Sequence, residues 1–403
     1  MLTRRTLLAL AGGTAAGPLV PARGRAAEPI RIGDLNSYTE LPAFTVPYRQ
    51  GWKLALAEIN EGGGVLGRPL EVISRDDGGN PGDALTVANE LVRREGAQML
   101  MGTLLSHVGL AVANYAHRRR RVFLASEPLT DALAWSKGNR HTFRLRPGTY
   151  VQAAMLAERA AKLDATRWAV VAPNYEYGQS AVAAFKTLLK EARPEVEFIA
   201  EQWPPLFDID AGAVTQAVAS AEPEAIFNVT FGTDLVKFVR EGSVRGLFDG
   251  PAVVSMLTGE PEWMNPLGKE VPEGWIVTGY PWDSLDTPAH TRFREAYRAR
   301  FGEPPRMGSV VGYSSLHALA KAVRTADSAG TDAVIDALRG LALDTPFGPI
   351  RFRKVDQQST MGTFVGRTTR KGDRGALVDW TYKDGADYLP DAQTAREWRA
   401  GRG

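Results

Sequence analysis

The sequence predicts an α/β protein made of two Rossmann-like parallel-sheet halves with a cleft between them. Three observations carry that prediction. Apolar strand-like runs alternate with helical periodicities, the order that builds a parallel sheet with helices on both faces. The alternation starts again near Tyr150, so two such units follow one another. The chain has 403 residues, 44% hydrophobic and 23% charged, which is enough for two separate cores. Two α/β halves joined by several crossings put a cleft at the carboxyl ends of their strands.

The N-terminus reads as a targeting segment. Thr3-Arg4-Arg5-Thr6 opens a short apolar run to Val20, and small residues follow to Ala27. A charged start, apolar middle and small-residue end make a secretory signal over residues 1–27, and the paired arginines suggest the twin-arginine route. Met1–Ala26 holds four arginines and no acid, so the overall charge of +2 gives way to 44 basic against 46 acidic residues beyond it. A nearly neutral chain lacks the electrostatic footprint of a nucleic-acid binder. No later run is long and apolar enough to span a bilayer, so the expected location is the periplasm, as a soluble exported protein. The absence of cysteine excludes disulfides, thiolate metal sites and a thiol nucleophile.

The first half then reads in order. Ile30–Leu35 is a strand, and Gly51–Ile59 is a helix stopped by Gly62-Gly-Gly64. Leu70–Ser74 is a strand leading to Asp76-Asp77, read as loop-capping carboxylates. Asn80-Pro81 opens the next helix with Pro at its tolerated first position. Gln98–Met101, Val122–Ala125 and Thr142–Leu145 complete the strands. In the second half, strands are expected at Trp168–Ala172, Phe198–Trp203, Ala225–Thr230, Ala252–Met256 and Ile276–Gly279. Helices fill the gaps, including Asp234–Val244, and continue over Phe293–Phe301, Ser309–Ala326 and Asp332–Leu338. Short strands close the chain at Ile350–Phe352, Thr363–Val365 and Ala376–Trp380.

Chemistry is conspicuous by what the motifs lack. There is no nucleophile elbow, phosphate loop, H-E-x-x-H or dinucleotide fingerprint. The five histidines are scattered. No cofactor, metal or enzymatic activity is expected; the chain reads as a binder. The informative stretch is Met99–Val108, a strand, a turn at Gly102 and a helix opening at Ser106. Ser106 is expected as the N-cap, where a hydroxyl and free N–H groups can cap the helix or hold a carboxylate.

Four segments carry a family resemblance: GWKLALAEINEGGGVLG (Gly51–Gly67), LEVISRDDGGNP (Leu70–Pro81), VAPNYEYGQS (Val171–Ser180) and DTPFGPIRF (Asp344–Phe352). Together and in order they resemble the branched-chain-amino-acid type of periplasmic binding proteins for ABC importers. The resemblance implies two domains joined by three hinge crossings, near Phe143–Gly148, Ile276–Asp283 and Thr345–Gly348. Domain one would be residues 28–146 and 281–345, and domain two residues 147–280 and 346–403. The implied partners are a small-molecule ligand and a membrane permease, with a ligand sensor feeding a signalling partner as the alternative.

Carried over position by position, the resemblance implies ligand contacts at Phe44, Leu105, Ser106, Ser126, Glu127, Tyr150, Tyr177 and Phe231. The glutamate that such proteins offer to a ligand ammonium matches Thr258, with Glu260 two residues on. A buried ammonium without a charge partner costs several kcal/mol. That departure makes a carboxylate with an aromatic body the first expectation, and a branched-chain or other amino acid the alternative. Glu127 pulls toward the second, because a carboxylate beside a carboxylate ligand is unfavourable.

Overall fold

The computed structural model describes residues 28–401; the signal assigned to residues 1–27 lies outside the described residues. The first half is a five-stranded parallel sheet in the order β2-β1-β3-β4-β5. Its strands are β1 (Ile30–Asn36), β2 (Leu70–Asp76), β3 (Met99–Gly102), β4 (Val122–Ala125) and β5 (Thr142–Arg144), separated by α1 (Pro42–Glu61), α2 (Pro81–Arg93) and α3 (Ser106–Arg119). The second half begins with α4 (Thr149–Ala160). It continues through β6 (Arg167–Val171), α5 (Glu176–Ala192), β7 (Glu197–Gln202), α6 (Ala211–Ser220), β8 (Ala225–Asn228), α7 (Gly232–Val244), β9 (Ala252–Gly259), α8 (Pro261–Met264) and β10 (Ile276–Gly279). The chain then leaves this sheet for α9 (Pro288–Phe301), α10 (Met307–Ala326) and α11 (Thr331–Leu338), of which α9 and α10 pack on α1 and α11 packs on α10. A hairpin, β11 (Ala342–Thr345) and β12 (Gly348–Arg351), follows. β13 (Thr363–Lys371) and β14 (Arg374–Lys383) return to the second sheet as an antiparallel edge, giving the order β14-β13-β10-β9-β8-β6-β7. A short helix, α12 (Ala392–Arg399), ends the described chain.

Three differences from the sequence reading have physical causes. α1 starts nine residues before Gly51, although Pro47 lies inside it. Proline removes the bond to the carbonyl four residues back, here Ala43; Arg306 Nη1 reaches that carbonyl at 3.4 Å instead. The Thr345–Gly348 segment is the turn of the β11–β12 hairpin rather than a passage between sheets; the chain next joins the second sheet at Thr363. α6, α8 and α12 have ten, four and eight residues, too short for a helical stripe to stand out in the sequence. Asp76 and Asp77 do cap the loop: Asp76 accepts from the Tyr38 and Gly78 N–H groups at 3.0 Å, and Asp77 from Ser37 Oγ at 2.8 Å.

α1 and α10 touch backbone to backbone. A Cβ on Gly51 would sit 2.0 Å from the Ser309 carbonyl oxygen, and one on Gly312 2.0 Å from that of Tyr48. This contact fixes α10 over the first sheet and aims its N-terminus, with Gly308, at the cleft.

Candidate functional site

The two sheets present their carboxyl ends to one another, and a small cavity of about 20 Å³ lies between them. The first half lines it with Leu104, Leu105 and Ser106 from the β3–α3 turn and Glu127 and Leu129 from the segment after β4. The second half supplies Tyr175, Tyr177, Phe231, Leu257, Glu260 and Trp263, and Arg146 enters from the passage after β5.

Each wall follows from local backbone geometry. Gly102 and Thr103 have φ of 114° and 58°, and a Cβ on Gly102 would meet the Leu35 carbonyl oxygen at 2.2 Å. Only glycine fits there, and it turns the chain sharply into α3. That turn makes Leu105 the cap residue and Ser106 the first helical residue, without a side-chain cap bond. The expected N-cap role of Ser106 is therefore corrected. Its Oγ instead accepts from the Thr130 N–H at 3.2 Å, tying α3 to the segment after β4, and keeps its own proton to give.

Arg146 is the centre of the site. Its guanidinium is buried and ion-paired with both Glu127 and Glu260, one from each half. Burial works against its charge, but the two glutamates outweigh it and hold its pKa above the usual arginine value. Burial pushes the Glu127 carboxyl well above its ordinary range; Arg146 pulls it down, and Glu260 adds to the rise. Burial also raises Glu260, which accepts from Trp263 Nε1 at 3.1 Å. Glu127 Oε2 and the Tyr177 hydroxyl are buried and have no protein partner. One guanidinium against two carboxylates leaves a formal charge of −1 when both are ionised.

The opposite face is aromatic. Tyr177 and Phe231 meet edge to face at 5.6 Å, Phe231 and Trp263 at 5.6 Å, and Tyr175 lies 5.9 Å from Tyr177. Tyr175 also meets His107 of α3 at 5.6 Å, a contact made across the cleft. Leu257 is held at φ 68°, a strained conformation for a leucine, with its N–H on Thr278 Oγ1 at 2.8 Å.

Of the ten residues expected from sequence, Leu105, Ser106, Glu127, Tyr177, Phe231 and Glu260 come together on this cavity. Four do not line it. Phe44 lies one ring behind, stacked on Trp263 at 6.2 Å. Ser126 faces the first core, bonded to Ser315 Oγ at 2.8 Å and near Tyr48 Oη at 3.2 Å. Thr258 is spent on Ser255 Oγ at 2.6 Å, within a cluster that includes Asn228. Tyr150 faces an outer groove, 5.6 Å from Trp135 and 5.1 Å from Trp398. Ser126 and Thr258 each lie one residue from a lining residue, Glu127 and Leu257, and their own side chains are turned to other partners. Leu104, Leu129, Arg146, Tyr175, Leu257 and Trp263 were not expected. For Arg146 a signal existed: arginines alternating with Phe143 and Leu145 in a strand-like passage, just before Pro147-Gly148.

The family model described as "Periplasmic binding protein" matches residues 29–373, and the chain belongs to that family, the non-enzymatic solute-binding components of ABC transporters. It is 23% identical over 402 residues to the Leu/Ile/Val-binding protein homolog 7 of Brucella suis, covering 94% of this chain and 96% of that protein. Its fold matches the solute-binding protein of an ABC transporter from Rhodopseudomonas palustris BisB5 in complex with 3,4-dihydroxybenzoic acid. The TM-score is 0.81 at 21% identity, over 91% of this chain and 99% of that one. It also matches the closed conformation of the leucine-, isoleucine-, valine-, threonine- and alanine-binding protein of Brucella ovis. There the TM-score is 0.80 at 19% identity, over 91% and 98%. Members of this family are exported. No helix among the described residues is long and apolar enough to cross a membrane.

Proposed function

We propose that this chain captures an α-amino acid in the periplasm and delivers it to an ABC permease. The observation that carries this reading is the buried Glu127–Arg146–Glu260 triad. An α-amino acid brings one charge of each sign. Its carboxylate takes Arg146, Ser106 and the free Tyr177 hydroxyl, and its ammonium takes the already free Glu127 Oε2 and the glutamate oxygens that Arg146 releases. With both glutamates ionised, the enclosed charge stays at −1. A simple aromatic acid, the first expectation from sequence, would bring it to −2 in a dry site, where an unpaired charge costs several kcal/mol. The relatives named for leucine, isoleucine and valine agree with the amino-acid reading.

A second reading has its own support. An aromatic acid with ring hydroxyls could lay its ring on Tyr177 and Phe231 and donate to Glu127 and Glu260, much as the similar R. palustris protein holds 3,4-dihydroxybenzoic acid by its own means. Ligand entry needs hinge opening in either case, because the cavity of about 20 Å³ has room for about one water molecule. Isothermal titration of protein unfolded, dialysed and refolded to strip bound solute separates the two. Heat with leucine, valine or phenylalanine and none with 3,4-dihydroxybenzoate supports the amino-acid reading; the reverse pattern contradicts it.

A further inference from the structure

Trp263 faces two spaces. On one side is the small cavity of about 20 Å³; on the other is a larger recess of about 800 Å³ between the halves. Leu41, Pro42 and Ala43 wall the recess from the first half, and Phe207 and Val236 from the second. Glu262 reaches it from α8 and is 1% exposed. One of its oxygens accepts from the Gly308 N–H at 2.7 Å, and the other has no protein partner. The charges around it do not answer it. Glu260 repels it, and Arg306 is shared with Glu303 at 3.7 Å and the Ala43 carbonyl at 3.4 Å. Lys237 and Arg240 stand at the exposed rim, Arg240 paired with Glu270 at 2.7 Å.

We infer that this recess is a second compartment of the solute site, in which Glu262 receives the terminal amine of an extended side chain. The inference rests on the amino-acid reading and narrows it to basic or diamino acids. Three enclosed carboxylates, Glu127, Glu260 and Glu262, together with the ligand's own carboxylate, then face two ligand cations and Arg146, four negative groups against three positive ones. The aliphatic stem passes Trp263, whose ring already packs between Phe44 at 6.2 Å and Phe231 at 5.6 Å. Burial and Glu260 hold the Glu262 carboxyl up at about 7, as fits a carboxylate whose cation has yet to arrive.

Lysine and norleucine differ by the terminal amine alone, so titration of the stripped protein with each is the test. Lysine is expected to bind at least tenfold more tightly, and Glu262→Gln, which keeps the Gly308 contact, is expected to remove that preference. Norleucine binding as well as lysine overturns the second compartment and leaves the amino-acid reading standing. A lysine preference unchanged in Glu262→Gln also overturns it. Binding of neither, with heat from 3,4-dihydroxybenzoate, overturns both readings. The comparison of the two ligands on the parent protein decides the matter should the variant fail to fold.

Discussion

Arg146 concentrates what single residues do here. Replacing it by methionine leaves two carboxylates buried without a cation, which costs about 3 kcal/mol. Chemical denaturation of Arg146→Met should show that loss at pH 7.5 and less at pH 5, where the orphaned glutamates can take up protons. Ser106→Ala is expected to weaken ligand binding by about 1–3 kcal/mol. It also strands the Thr130 N–H, so a stability loss of about 1 kcal/mol should accompany it in thermal melts. Asp34 gives a pH prediction of known sign. Burial lifts its carboxyl to about 6, against the bonds from Tyr38 and Ser74. A folded pKa above the unfolded 3.8 means that the native state keeps a proton the unfolded chain has lost. Below about pH 4 the group costs nothing; between pH 4 and 6 the cost grows, at about 1.4 kcal/mol per unit of pKa difference. Asp34→Asn should therefore melt higher relative to the parent at pH 7.5 than at pH 4. Residue roles were the least legible level in the sequence. Glu127 and Ser106 could be placed from the resemblance, but their shared dependence on Arg146 and on Thr130 comes from residues brought together by folding.

Elements were read well where an apolar run had clear ends, as at Val122–Ala125 and Ile276–Gly279, which match β4 and β10 residue for residue. The reading failed where tertiary contact overrides a local rule. A proline inside a helix frees a carbonyl, yet α1 runs through Pro47, where Arg306 of a distant segment serves that carbonyl. The α1–α10 contact gives the prediction at this scale. Gly51→Ala drives a methyl group to 2.0 Å from the Ser309 oxygen, and overpacking of this kind costs about 1–3 kcal/mol. A lowered melting temperature checks it. The backbone shift should also disturb the Glu262–Gly308 bond at the start of α10, since both ends depend on where that helix sits.

At the scale of the whole molecule, the two-sheet plan and the cleft at the strand carboxyl ends were legible from alternation alone. The identity of what fills the cleft was not, because charge balance depends on which side chains face inward. Arg146 binds one glutamate from each half, so the ion pairs that await the solute also hold the halves together. A ligand exchanges with these contacts rather than adding to an empty site. It gains affinity only by its differential interaction with the closed form. The ammonium is the group that this account makes indispensable. Leucine and 4-methylpentanoate share carboxylate and side chain and differ at the ammonium, so their affinities for the stripped protein test it directly by titration calorimetry. Leucine should bind at least a hundredfold more tightly, the equivalent of about 2.7 kcal/mol. Equal affinities, or tighter binding of 4-methylpentanoate, would contradict the account.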